Sequence, residues 1–404
     1  MIWREGQIAD LAARSLEAGA AIDTQLGKRR VDVGGAAAWG QFLDEDHYSP
    51  DQWGLFGTAA AVRALSLRAD PPLDLRHIRD GLRLLPRDRA KFDSALQPKV
   101  NKGDLQNVIR LAFVAEALEP ERDSVPTADR PPIVSEIFDL ARDEPFWAPT
   151  SAVAGAAQAD GDVFSTAYVL YALRRYEQPI GELRAHRLWL ATQLRTQRKV
   201  RTRPDLVALV GLALLPRNSD PENPQPIQDG IARCRSELIA WQRREPGIVL
   251  HRPLFHGFNF GRFTDYVFLH PEIIAALFLL QAGSPRRTRR YVAHVVRDLV
   301  ENIEDHDYFE GRPGMGATVD QMWASKLLHL FYGTYSDEHR RHLLLPPWIA
   351  TGRMRWIAVV AAVIGFAVVA ASTNSAAGGA VGAGVGVVIS LAMAVLIAWA
   401  RQDS

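Results

Sequence analysis

The chain is nearly without cysteine. Among its 404 residues only Cys234 is present, which excludes a disulfide framework within one chain and any cysteine-based metal cluster. Charge of one sign is not in excess either. The net charge is +1, so no bias toward nucleic acid or anionic surfaces follows, and no nucleic-acid partner is expected. Lysine is scarce, six of the 47 basic residues; with abundant alanine this is the composition of a GC-rich bacterial genome. Alternating β-branched runs of roughly four to eight residues are nearly absent, which argues against a sheet protein. The opening residues, Met1-Ile2-Trp3-Arg4-Glu5, hold no apolar run of the kind a secretory signal carries, so no such signal is expected.

Long hydrophobic runs are also missing until the last fifty residues, where two appear. Residues 354–372 contain no ionisable side chain beyond Arg355 at their start and 379–400 contain none, and each is about long enough for a helix to cross a bilayer core, roughly 17–25 residues. Only Thr373-Asn374-Ser375-Ala376-Ala377-Gly378 lies between them. Arg340, Arg341 and Arg353 precede the first run, Arg355 stands at its start and Arg401 follows the second, while the turn is uncharged. The positive-inside rule therefore puts both ends, and the bulk of the chain, on the cytoplasmic side of the inner membrane. Gly378, Gly382 and Gly386 recur at four-residue spacing, so the hairpin can pack closely on itself or pair two chains into a homo-oligomer. Ser390 is the one polar residue within the spans that stands out, which makes an ion pathway or transporter improbable. Three regions follow: a cytoplasmic domain over 1–345, a Pro346-Pro347 linker over 346–353, and a transmembrane hairpin over 354–400.

Within the large domain a helical pattern repeats. Six small-apolar segments each close on a leucine: Leu65, Leu118, Leu173, Leu214, Leu277 and Leu328, spaced 53, 55, 41, 63 and 51 residues apart. That spacing holds one helical hairpin per unit. More polar amphipathic helices, such as Leu75 to Leu85 and Arg290 to Ile303, lie between them. A helix apolar all round must be buried, so six inner and six outer helices are expected, an all-α fold of about six hairpins. The reading is an α6/α6 toroid. An open superhelical solenoid has the same period, and periodicity alone does not separate the two.

Several units carry more than periodicity. The first has Trp39-Gly40-Gln41-Phe42-Leu43, then Gln52-Trp53-Gly54 and Gly57-Thr58-Ala59-Ala60; the third has Asp160-Gly161-Asp162-Val163-Phe164-Ser165-Thr166; the fourth and fifth open with Trp189-Leu190-Ala191-Thr192-Gln193 and Leu238-Ile239-Ala240-Trp241-Gln242. Over about residues 30–335 this resembles the repeats of the terpenoid cyclase and protein prenyltransferase superfamily. The resemblance implies an α/α toroid with its site where the turns enter the inner helices. It does not carry the chemistry over. Asp44-Glu45-Asp46-His47 and Glu304-Asp305-His306-Asp307 do not match the acidic cluster with which class II cyclases protonate an alkene. The zinc site of the prenyltransferases and lanthionine cyclases cannot be built in that form with Cys234 alone, and no Asp-Asp-x-x-Asp diphosphate motif is present. No metal and no cofactor is therefore expected.

By the same resemblance the candidates are the polar residues of the entering turns: Asp46, His47 and Trp53; Asp162 and Ser165; Asp265 and His270; Glu310, Arg312, Asp320 and Gln321. Asp162, Asp265 and Asp320 are the candidate catalytic carboxylates. Asp162, Ser165 and Thr264 also read as helix N-caps, and His270, just before Pro271, as a packed or capping residue. Asp320-Gln321 within an apolar helix needs a partner or water, whether as cavity lining or as a structural hydrogen bond. Phe255 to Tyr266 holds four phenylalanines, a tyrosine and His256, broken by glycines, a loop that either folds over a ligand or plugs the ring. Trp53, His256, Phe258, Phe260, Tyr266, His270, Gln321 and Trp323 are the candidate ligand-binding residues, since aromatic walls suit an isoprenoid or acyl chain.

Arg286-Arg287-Thr288-Arg289-Arg290 opens a helix, where cations oppose the dipole. The cluster is either a membrane-surface patch for anionic lipid headgroups, or a solvated face paired with acids such as Asp298 and Glu301. Two functions are carried forward. One is a membrane-anchored binding or interaction protein, its cavity taking a lipid-like or peptide ligand, with a variant as sensor or effector in a bacterial stress or defence system. The alternative is a terpenoid cyclase- or prenyltransferase-like enzyme on an isoprenoid or other amphipathic substrate.

Overall fold

The computed structural model describes residues 5–33, 36–40, 54–68, 71, 75–83, 108–118, 132–141, 144–148, 159–176, 180–216, 224–244, 254–260, 263–283, 286–305 and 318–343. The chain divides into two compact units, Met1–Tyr335 and Ser336–Ser404. Of the second, only the end of the last helix is described. The predicted spans, with Gly378, Gly382 and Gly386, lie outside the described residues. Among those described, no helix is long and apolar enough to cross a membrane.

The first unit is all-α apart from two short hairpins. Six helices carry the small-apolar segments: α2 (Leu55–Leu65), α4 (Val108–Ala117), α6 (Ala159–Ala172), α9 (Pro204–Leu214), α11 (Pro271–Gln281) and α13 (Thr318–Leu343). They alternate with α1 (Glu5–Lys28), α3 (Leu75–Arg83), α5 (Pro132–Asp139), α7 (Ile180–Thr196), α10 (Gln225–Arg244) and α12 (Arg286–Glu304), with a single turn, α8 (Arg198–Arg201), between α7 and α9. Every residue of α9 from Asp205 to Leu214 is buried, and so are those of α11 from Pro271 to Leu279. Helices with no polar face have to be enclosed by protein. Pro204 and Pro271 stand in the first turn of these two, where a missing N–H costs nothing.

Packing follows the chain. α2 lies on α4, α4 on α6, α6 on α9 and α9 on α11. The amphipathic helices cover them: α3 on α2, α5 on α4, α7 on α6 and α9, α10 on α9, and α12 on α11. α12 also packs on α1, where Arg14 Nε reaches Glu304 Oε1 at 3.0 Å. Two glycines mark close approach. A Cβ at Gly211 would stand 2.6 Å from the Phe278 ring, and one at Gly57 would stand 2.0 Å from the Gly40 carbonyl oxygen.

One local device recurs. Trp39, after α1, gives its indole Nε1–H to the Leu26 carbonyl (2.8 Å) and its backbone N–H to Thr58 Oγ1 in α2 (3.2 Å). Trp147, after α5, does the same with Ile137 (2.7 Å) and with Thr166 Oγ1 in α6 (2.9 Å). A tryptophan thus fastens an amphipathic helix to the apolar helix that follows it, at two hairpins of the series. β1 (Val31–Val33) and β2 (Ala36–Ala38) form a small antiparallel pair beside the first of these.

Several local expectations change. The Phe255–Tyr266 string is not a loop: β3 (Leu254–Phe260) and β4 (Phe263–Leu269) pair antiparallel, with Phe258 opposite Asp265 and His256 opposite Val267. Aromatic residues favour strands, and a hairpin satisfies its backbone within itself. Asp162 and Ser165 lie inside α6 and Thr264 lies in β4, so none of the three is an N-cap.

Candidate functional site

α13 places its polar residues where water does not reach. Thr318 to Leu328 are all buried, among them Asp320 and Gln321 at 0 % exposure and Lys326 at 5 %. A buried ion costs several kcal/mol unless it is paired, so each of these side chains calls for an account.

Asp320 is paired. Its Oδ1 contacts His270 Nδ1, and both side chains are fully buried. His270 is the N-cap position of α11 but makes no side-chain cap bond; it turns instead to the first turn of α13. Acids recur at these helix starts, Asp205 in α9, Glu272 in α11 and Asp320 in α13. The positive end of the helix dipole favours them there, and Asp205 has Arg203 Nη2 at 3.1 Å besides. His270 Nε2 is buried and has no hydrogen-bond partner among the described residues; the same holds for both amide atoms of Gln321 and for the indole Nε1–H of Trp323.

Two turns further along α13 lies a charged cluster. Lys326 Nζ contacts Glu116 Oε1 of α4, and Arg63 Nε of α2 stands 3.7 Å from the same oxygen. The Tyr168 hydroxyl of α6 donates to Glu116 Oε2 at 2.5 Å. Burial, and then the charge of Glu116, pushes that hydroxyl well above its ordinary value. Lys326 Nζ also sits 3.8 Å from the Trp323 ring centre and 5.0 Å from that of Tyr171, cation–π contacts on two sides. His329, one turn on, is pushed down by burial and then by Arg63.

These residues hold equivalent places in the repeat. Counting back two from each closing leucine gives Arg63, Glu116, Tyr171, Leu212, Ala275 and Lys326, and the four polar ones are those that meet. Counting back five gives Ala60, Phe113, Tyr168, Leu209, Glu272 and Trp323. Of these, Phe113 lies 4.4 Å from Tyr168, and Tyr168 lies 6.2 Å from Trp323, ring centre to ring centre. Residues three apart share a helix face, so an aromatic tier sits beside a charged one. The helices that hold the charged tier are apparent in the sequence; that Arg63, Glu116 and Lys326 form a group is not apparent from any one segment. Aligning the six segments on their closing leucines is the signal that finds them.

Of the predicted site, Asp320 and His270 come together, and Gln321 and Trp323 follow Asp320 in the first turns of α13. Trp53, Asp46, His47, Glu310 and Arg312 lie outside the described residues. Asp162, His256, Phe258, Phe260, Asp265, Tyr266, Arg286 and Arg287 are placed by backbone, and their side chains lie outside the description. Arg289 and Arg290 are exposed on α12. Asp298 and Glu301, the expected counter-charges, stand beside Arg297 instead, at 3.1 and 3.6 Å. Cys234 is buried in α10, which pushes its thiol far up and makes it unreactive. Among the described residues no group of His, Cys, Asp and Glu is placed to hold a metal ion. A cleft of about 220 Å³ between α5 and α7, lined by Phe138, Ala141, Glu144, Pro145, Ala185 and His186, contains none of the predicted residues. Compared with known proteins, the chain matches no family model, no curated protein and no solved structure.

Proposed function

We propose that the chain is a membrane-anchored α/α toroid that binds a lipid-like ligand inside its ring. Three features support the ring: successive packing of the apolar helices, the contact of α12 with α1, and the meeting of repeat-equivalent residues from α2, α4, α6 and α13. The terpenoid cyclase-like repeats agree with it. The apolar runs at 354–372 and 379–400 support the anchor, and an anchored ring is well placed for ligands drawn from the bilayer.

The observation that carries the reading is the unused hydrogen-bonding capacity of the interior. Gln321, Trp323 and His270 are each at most 1 % exposed and leave polar atoms without a partner among the described residues. Buried polar groups are almost always satisfied, so exceptions point to water or a ligand. The test is native mass spectrometry of the full chain extracted from membranes, with solvent extraction and identification of what co-purifies. A stoichiometric small amphiphile is the expected result; an empty protein in a defined oligomer would point to a scaffold or effector instead.

One observation favours the enzymatic alternative. Asp320 against His270 Nδ1 fixes the imidazole and leaves Nε2 to exchange a proton with a bound group. Turnover of an isoprenoid that is lost in His270→Asn and Asp320→Asn, with ligand still bound, would establish it.

A further inference from the structure

The ligand-binding reading leaves the chemistry of the ligand's head open, and the interior narrows it. Three carboxylates there have partners. Asp320 has the His270 imidazole, Glu116 has Lys326 and Arg63, and Asp205 has Arg203. Besides His270 Nε2, what is left over at the start of α13 is the neutral pair Gln321 and Trp323. The Gln321 amide is fully buried with both its oxygen and its nitrogen unmatched among the described residues. Exchanging the two atoms in assignment changes nothing, because one accepts and the other donates in either case.

A phosphate or diphosphate head offers acceptors only. It would pair the amide N–H and leave the amide oxygen buried and unmatched. It would also bring further charge into an interior where Lys326 and Arg63 already share the Glu116 carboxylate. A carboxylate has the same two faults. A hydroxyl both donates and accepts, so it can serve both atoms of Gln321 and carries no charge into the dry interior. Trp323 and Gln321, two residues apart, face different sides of α13. The Trp323 N–H is therefore a separate donor, for a second oxygen of the ligand or for a water. Phe113, Tyr168 and Tyr171, in tilted ring contacts on the Trp323 side of α13, offer apolar rings to a hydrocarbon tail.

Resting on that reading, we infer that the ring takes an uncharged amphiphile, a long-chain or isoprenoid alcohol, with its hydroxyl on the Gln321 amide. The inference runs against a prenyl diphosphate, the substrate that a prenyltransferase-like repeat would bring to mind.

The experiment uses the full chain in lipid nanodiscs and reads its thermal unfolding midpoint against probe concentration. The probes are farnesol and hexadecanol, the corresponding monophosphates, farnesyl diphosphate and palmitate. The alcohols are expected to raise the midpoint at concentrations at least about tenfold below those the charged heads require. Gln321→Leu should abolish that preference while partition into the bilayer is unchanged. Phosphates or palmitate acting as well as the alcohols would overturn the inference and leave the binding reading intact. If no probe acts and nothing co-purifies from membranes, a buried water serves Gln321, and the inference and the reading fail together. The head-group comparison on the unmodified chain decides the matter even should the variant fold poorly.

Discussion

Two regions of one helix, about a turn and a half apart, handle buried polarity in opposite ways. Around Lys326, two cations from α2 and α13 are gathered on one carboxylate from α4, with the Tyr168 hydroxyl added to the same carboxylate. Around Gln321, the one carboxylate contacts the His270 imidazole and the neutral groups are left with capacity to spare. The matched cluster ties the last hairpin to the first three and has the character of a joint. The unmatched end has the character of a site, because nothing in the fold is stabilised by an idle amide. Burial alone does not tell the two apart; the count of partners does.

The most forceful way to break this comparison is to remove one charge from the joint. Lys326→Met leaves the Glu116 carboxylate in the interior with Arg63 at 3.7 Å as its remaining cation. Truncating one member of a buried pair costs about 3–5 kcal/mol, to be read as a fall in the chemical-denaturation midpoint. Adding Glu116→Gln should recover much of the loss, since a matched neutral pair is cheaper than an orphaned charge. If the single variant is as stable as the parent, the cluster is not a joint.

Asp23 of α1 sharpens the contrast, as a carboxylate with one cation rather than two. Arg68 Nε is 3.3 Å away, yet burial outweighs it and pushes the carboxyl from 3.8 up to about 6. The folded state therefore holds this proton more tightly than the unfolded chain. Its contribution to stability is fully present below about pH 4 and is lost as pH rises through about 6. Asp23→Asn should raise stability at neutral pH, on the order of 1–2 kcal/mol after solvent screening is allowed for. It should also flatten the stability profile between about pH 4 and pH 6. Denaturation curves at pH 4.5 and 7.5 that shift equally in variant and parent would count against it.

The helices were legible in the sequence and the joint was not, for a physical reason. The stretches closing on Leu65, Leu118, Leu173, Leu214, Leu277 and Leu328 are apolar on every side, and only burial suits such a helix. A charge carries no such mark: Glu116 between Ala115 and Ala117 reads alike whether water or Lys326 faces it. Asp320 and His270 were each picked out, but the fifty residues between them hid that they are one pair. Trp147 does not stand out beside Trp39 because Glu144-Pro145-Phe146 before it and Ala148-Pro149-Thr150 after it differ from Ala36-Ala37-Ala38 and Gly40-Gln41-Phe42; what repeats is the pair of hydrogen bonds. Trp39→Phe and Trp147→Phe, which each remove one indole donor from a buried carbonyl, should therefore cost similar amounts, about 1–2 kcal/mol. A neutral result at one and a large loss at the other would break the equivalence of the two hairpins.

The smallest expected effect is the most diagnostic, because its sign is unusual. Most truncations of a buried side chain destabilise a fold. Gln321 differs, since its amide takes part in no hydrogen bond among the described residues and its desolvation is uncompensated when the ligand is absent. Gln321→Leu keeps roughly the volume and removes the idle polar atoms, so the ligand-free protein should gain stability, about 1 kcal/mol. The same change at the joint, Glu116→Leu, should have the opposite sign, because there the polar atoms are used. Delipidated protein is the material for this measurement, since a retained ligand would pair the amide and reverse the sign at Gln321. Finding that both leucine variants lose stability in that state would mean that Gln321 is as fully employed as Glu116, and that the two regions of α13 are one kind of structure after all.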